Sequence, residues 1–163
     1  MSEIWDLLDN NGQRSGVVWQ RDSRDQIPDG LYIPCVEVWV KVADKLLITK
    51  RHPSKREGLK YEVSGGGVVS GEDFPVAAVR ELYEEVGISA EPNRLIFLGS
   101  EKSGDVFAFS YLLELDSLPE IVLQPDEVVA YCFVTEEEMM KMADFLTKGT
   151  YKRFLSYREK LFG

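Results

Sequence analysis

The chain has 163 residues, a length that suits one folded unit better than two. With 44% hydrophobic and 11% aromatic residues and 13 glycines, its composition is that of an ordinary globular protein and excludes a disordered or collagen-like chain. Nineteen Lys and Arg against 28 Asp and Glu give a net charge of −9, so the overall field repels a phosphate backbone and disfavours generic nucleic-acid binding.

The first fifteen residues, MSEIWDLLDNNGQRS, carry acids and amides where a secretory leader needs a basic start and an apolar stretch. The most apolar passage, Val106 to Leu115, is much shorter than the roughly 20 residues a helix needs to cross a bilayer. A soluble, cytoplasmic protein with no membrane contact is therefore expected. Cys35 and Cys132 each lie singly within apolar runs, without metal-type or redox-type spacing, and read as small buried hydrophobes.

In chain order, Ile4 to Leu8 and Val17 to Trp19 flank an Asn10-Asn11-Gly12 turn, which predicts a small accessory hairpin within residues 1–30. Ile27-Pro28-Asp29-Gly30 breaks the chain, and residues 31–163 form the main unit of a single domain spanning 1–163. Cys35 to Val42 alternates with period two, and further strands are expected at Leu46–Thr49, Leu95–Leu98, Val106–Leu115 and Val128–Val134. Helices are predicted at Phe74–Val86, from a capping box at Thr135 and Glu138, and at Tyr151–Leu161. This order gives an α+β chain with a mixed sheet covered by helices, although it does not fix the strand pairing.

The helix at Phe74–Val86 is well delimited, with Asp73 as N-cap, Pro75 in the first turn and Gly87 ready for the left-handed conformation that ends a helix. The glycines before it, Gly65 to Gly67, read as a loop. At about 100° per residue, Val76, Ala78, Val79, Leu82, Tyr83 and Val86 share one arc, the expected core face. Arg80, Glu81, Glu84 and Glu85 lie on the other side. Glu81 and Glu85 are like charges at i,i+4, which cost a helix about 0.2–0.5 kcal/mol. A hard divalent cation such as Mg2+ or Mn2+ prefers oxygen donors and converts that repulsion into coordination, with Arg80 as a flanking brace for Glu84.

Gly66, Glu72, Arg80, Glu81, Leu82, Glu84, Glu85, Gly87 and Ile88 fill every fixed position of G-x5-E-x7-R-E-U-x-E-E-x-G-U, with U a bulky aliphatic residue. By this pattern the chain resembles the Nudix hydrolase superfamily. The resemblance implies a single α/β/α sandwich from about residue 30 onward, with residues 31–163 as catalytic core. It implies divalent metal held by Glu81, Glu84 and Glu85, with Glu72 supporting loop and helix. The implied activity is hydrolysis of the phosphoanhydride in a nucleoside diphosphate linked to another moiety, by metal-assisted attack of water. Members differ in which carboxylate takes the water's proton, and Glu81 and Glu127 are the candidates here.

Lys50 to Gly58 is a basic run in an acidic chain. Arg51, whose fork can bind two phosphate oxygens, is the first candidate for substrate contact, followed by Lys55; Gly66 and Gly67 complete the substrate-binding set. His52, the only histidine, reads as a loop residue. Tyr32, Trp39, Tyr61 and Phe107 could stack on a base, but their spacing suits sheet core equally. The N-terminal pattern together with Lys50–Lys55 is also similar to the Nudix branch of isopentenyl diphosphate isomerases. Those enzymes use a cysteine just before the box, where this chain has Val63-Ser64-Gly65-Gly66, so hydrolysis is favoured over isomerisation. A nucleotide-binding module without turnover is the other alternative, and the intact acidic cluster argues against it. A homodimer would be an ordinary outcome for a small enzyme, but the sequence leaves the oligomeric state open.

Overall fold

The computed structural model describes residues 2–163. A hairpin of β1 (Ile4–Leu8) and β2 (Arg14–Gln20) opens the chain, and a short 3-10 turn at Arg21–Gln26 follows it. Then come β3 (Ile33–Val42), β4 (Lys45–Arg51), β5 (Tyr61–Glu62), β6 (Ser64–Gly67), α1 (Phe74–Val86), β7 (Ile96–Ser103), β8 (Val106–Leu115), β9 (Val128–Thr135), α2 (Glu136–Met140) and α3 (Lys148–Phe162). The helix expected at Tyr151 begins one turn earlier because Thr147 caps it, accepting a hydrogen bond from the Thr150 N–H. The Thr135–Glu138 capping box is formed, but the helix behind it lasts only five residues.

The main sheet has seven strands of mixed direction. β3 runs parallel to β8 along its whole length and antiparallel to β4 at its C-terminal end and to β6 at Cys35–Val38. β5 pairs with β4, so the segment from Tyr61 to Gly67 fills the gap where β3 and β4 diverge. β9 lies beyond β4 and β7 beyond β8.

Period-two alternation along β3 divides the core. Val36, Val38 and Val40 meet Ala77, Ala78, Leu82 and Val86 of α1 on one face. Trp39 on the other face packs with Phe154, Tyr157 and Leu161 of α3 and Met139 of α2. Helices thus cover both faces of the sheet. Trp5 and Leu7 of β1 join Ile33 in a third cluster flanked by Cys35 and Val106, which seats the hairpin on the sheet.

Two local expectations are corrected. The glycine segment before α1 is a strand, with Gly65, Gly66 and Gly67 opposite Glu37, Val36 and Cys35. Glycine weakens a strand, and this one is tolerated because backbone and side chains approach too closely for a Cβ. α1 is also turned relative to the expected arc. Val76 and Tyr83 are 43% and 60% exposed, whereas Ala77 and Glu85 are buried. The inward rows are Ala78–Leu82–Val86 and Ala77–Glu81–Glu85, and the second lies against the slim glycine strand, with Glu81 at Gly66 and Glu85 at Gly65. Gly87 ends α1 at φ 76° as expected, with its N–H on the Tyr83 carbonyl. Asp73 occupies the N-cap position, but its side chain makes no capping hydrogen bond.

Candidate active site

Arg80 is the hub of the acidic segment. Its Nε and Nη2 donate to the two oxygens of Glu72 at 2.7 and 2.8 Å, and Nη2 also reaches the Gly67 carbonyl at 3.2 Å. Nη1 donates to Glu81 Oε1 at 2.9 Å and to Glu84 Oε2 at 3.2 Å. Glu72 also accepts the Val69 N–H at 3.1 Å, so it closes the loop onto the helix. Glu85 turns the other way and accepts the Gly65 N–H at 2.9 Å. Gly66 is the close approach: a Cβ there would lie 2.5 Å from Glu81 Cδ.

These contacts make three acids of one helix face chemically distinct. Glu84 is half exposed. Burial pushes the Glu81 carboxyl up to about 7, against the pull of Arg80. Burial, reinforced by neighbouring Glu62, pushes Glu85 up to about 8. Glu72 falls below its ordinary value because Arg80 hydrogen-bonds its charged form. Among the described residues no three acidic, histidine or cysteine groups already converge as a closed metal cage. The expected convergence of Glu81, Glu84 and Glu85 is therefore partial, because Arg80 holds the first two and Gly65 the third.

The basic run reaches the same place. Arg51 pairs with Glu62 at 2.7 Å and donates from Nε to the Arg56 carbonyl, so its fork is already engaged. Lys55 forms an ion pair with Glu127. Burial lowers the Lys55 ammonium below its usual range, against the opposing field of Glu85. The His52 ring braces its own loop through Ser54, and its backbone N–H donates to the Glu127 carbonyl at 3.0 Å.

A cavity of about 430 Å³ joins these groups. Gly65, Gly66, Gly67, Arg80, Glu81, Glu84, Glu85, Arg51, Lys55 and Glu127 all line it, so every residue predicted for metal, catalysis or phosphate contact opens on one space. None of Tyr32, Trp39, Tyr61 and Phe107 lines it; Trp39 and Phe107 are buried in the core, and Tyr32 packs edge-on against Phe107. The aromatic wall is Trp5 from the accessory hairpin, whose Nε1 donates to Glu3 at 2.9 Å beside Gly67. Cys35 is half-buried and sits in the cavity lining, with burial pushing its thiol up to about 12.

The NUDIX domain family model matches residues 31–155. This chain belongs to the Nudix superfamily. It is a Nudix hydrolase, acting on pyrophosphate bonds. It is 28% identical over 167 residues to an uncharacterized Nudix hydrolase of Clostridium acetobutylicum, covering 91% of this chain and 78% of that protein. In fold it is similar to a protein of known crystal structure from Deinococcus radiodurans, with a TM-score of 0.76, 22% identity and coverage of 95% and 99% of the two chains. It is also similar to a bifunctional NMN adenylyltransferase/ADP-ribose pyrophosphatase of Francisella tularensis crystallised with AMP and a manganese ion. That likeness has a TM-score of 0.70 and 21% identity, and covers 83% of this chain and 44% of that one.

The Nudix box was readable from spacing alone, but several cavity residues of this hydrolase were not. Glu62 lies four residues before Gly66 with no patterned neighbour, and only β4–β5 pairing brings it to Arg51 and within electrostatic range of Glu85. Glu37 and Arg153, 116 positions apart, meet in a largely buried pair at the cavity wall. The one available signal was Glu37 itself, an acid within an apolar β3.

Proposed function

We propose that this Nudix hydrolase cleaves the phosphoanhydride of a nucleoside diphosphate linked to another moiety, with Mg2+ or Mn2+ held by Glu81, Glu84 and Glu85. The observation that carries the reading is the pair of inward-facing carboxylates, Glu81 and Glu85, set against the glycines of β6, with Arg80 and Glu72 locking loop to helix. The donor set is all hard oxygen: Glu85 is buried with no ion pair among the described residues, and Glu81 has only Arg80, which it shares with Glu72 and Glu84, so a divalent ion would supply the missing positive charge. When bound, that ion would polarise the phosphoryl oxygens and lower the pKa of the water it holds.

The chain's own groups supply the rest. The Gly65 N–H orients Glu85, and Arg80 orients Glu81 and Glu84. Lys55 and Arg51 bring positive charge to the entering diphosphate, though each must share it with its carboxylate partner. Glu81 and Glu127 are the carboxylates proposed to take a proton from water, and Lys55 fixes Glu127 in place.

Replacing Glu84 or Glu85 by Gln, assayed with Mg2+ or Mn2+ on nucleotide sugars, dinucleotides and nucleoside triphosphates, should lower kcat/KM by about two orders of magnitude or more while the protein stays folded. Full turnover in both variants would remove these residues from the mechanism.

A further inference from the structure

The cavity has a second chemical end that the carboxylates of α1 do not explain. Its lining crosses four neighbouring strands with small side chains: Gly65 and Gly67 on β6, Cys35 on β3, Ala108 on β8 and Ser103 at the end of β7. Four strands span three spacings, about 14 Å, which is much longer than a diphosphate. Past the acidic end, this trough is lined by Arg24, Arg56 and Arg153.

Arg153 is held from behind. Its Nε donates to Glu37 Oε1 at 2.9 Å, and Nη2 lies in ion-pair contact with the same oxygen at 2.8 Å. Glu37 Oε2 accepts Trp39 Nε1 and Ser110 Oγ, each at 2.7 Å. Both Glu37 oxygens are thereby used, and Arg153 Nη1 has no hydrogen-bond partner among the described residues. Gly149, one turn earlier on α3, leaves room for the fork: a Cβ there would lie 3.0 Å from Arg153 Nη1. Arg24 is paired bidentately with Asp105, while exposed Arg56, whose charge also reaches Asp105, has no ion pair among the described residues. Three guanidinium groups thus meet two carboxylates in direct ion pairs, with Glu57 also in the lining and Glu101 within electrostatic range of Arg153, so what this end offers an anion is the unengaged donors of Arg153 and Arg56, in a protein whose overall charge is −9.

We propose that Arg153, with Arg24 and Arg56, forms a subsite for a second oxyanion, a phosphate or carboxylate borne by the substrate at the end remote from its diphosphate. It rests on the hydrolase reading for what occupies the acidic end. The recognition itself is a property of the arginine end: a buried guanidinium fixed in orientation loses little freedom on binding, and charge-assisted hydrogen bonds are strong there.

Matched probes test it: UDP-glucose against UDP-glucuronate for a carboxylate, and NADH against NADPH for a phosphate. Binding is read by calorimetry with Ca2+, and hydrolysis separately with Mg2+. The more anionic member of at least one pair should bind about tenfold tighter or better, against the sign of the protein's net charge. The pair that shows the preference identifies the oxyanion. That ratio should collapse toward one in Arg56→Ala, an exposed change that spares the core, and in the double variant Glu37→Gln/Arg153→Gln, which leaves no unpaired buried charge. Equal affinity within both pairs, no binding of any probe, or a preference that survives in both variants would overturn it. Hydrolysis without preference would sink the subsite and leave the hydrolase reading standing, whereas preference without hydrolysis would do the reverse.

Discussion

Gly65 and Gly66 are adjacent and alike in sequence, yet their surroundings differ. A Cβ on Gly65 would come within 2.2 Å of the Val36 carbonyl, which is backbone and cannot yield, whereas one on Gly66 meets the carboxylate end of the Glu81 side chain, which can shift only by leaving Arg80. Gly65→Ala should therefore cost about 1–3 kcal/mol or more in urea unfolding. Gly66→Ala should cost little stability but weaken Mn2+ binding by titration, because Glu81 must move. Equal stability losses would show that the close approaches are not as described. At this scale the box residues were legible because their chemistry requires fixed spacing along one helix. Glu62, Glu37 and Arg153 were not, since each acquires its role only from a partner brought in by sheet pairing or helix docking.

Elements were legible where local chemistry decides them and blurred where packing does. Phe74–Val86 ends at a glycine that only the left-handed conformation requires, and both its limits could be read from the chain. Its rotation could not, because hydrophobicity pointed Val76 and Tyr83 inward while the glycine strand drew Glu81 and Glu85 in instead. α3 carries Arg153, and its first turn depends on Thr147, whose Oγ1 accepts from the Thr150 N–H and donates to Thr150 Oγ1 at 2.8 Å. Thr147→Ala should lower unfolding free energy by about 1–2 kcal/mol in a denaturant titration, the loss of one cap and one buried hydrogen bond. An unchanged midpoint would mean that packing of Phe154 and Leu161 alone sets the start of the helix.

The whole molecule carries the electrostatic consequence of burying acids. Glu81 and Glu85 have folded values of about 7 and about 8 against an ordinary 4.5, so the folded state holds protons that the unfolded chain has released. Their contribution to stability is fully present below about pH 4.5 and is lost as pH rises through about 7 and then about 8. Metal-free protein should accordingly show a falling Tm across that window. Added Mg2+ or Mn2+ should raise Tm more near pH 8 than near pH 6, where protons compete for the same oxygens. A Tm that is flat with pH, or a metal effect larger at the acidic end, would contradict this account. The layered architecture was foreseeable from the alternation in β3 and the order of elements, and no helix among the described residues is long and apolar enough to cross a membrane. The insertion of β5 and β6 between β3 and β4 was not foreseeable, because two-residue and glycine-built strands carry almost no side-chain pattern.

The trough lined with Gly65, Gly67, Cys35, Ala108 and Ser103 is defined by main chain and stub-sized groups rather than by long side chains. Such a surface has few rotamers with which to remodel itself around a guest. It behaves as a fixed gauge, admitting molecules by thickness and length, and leaves adaptation to the charged rim.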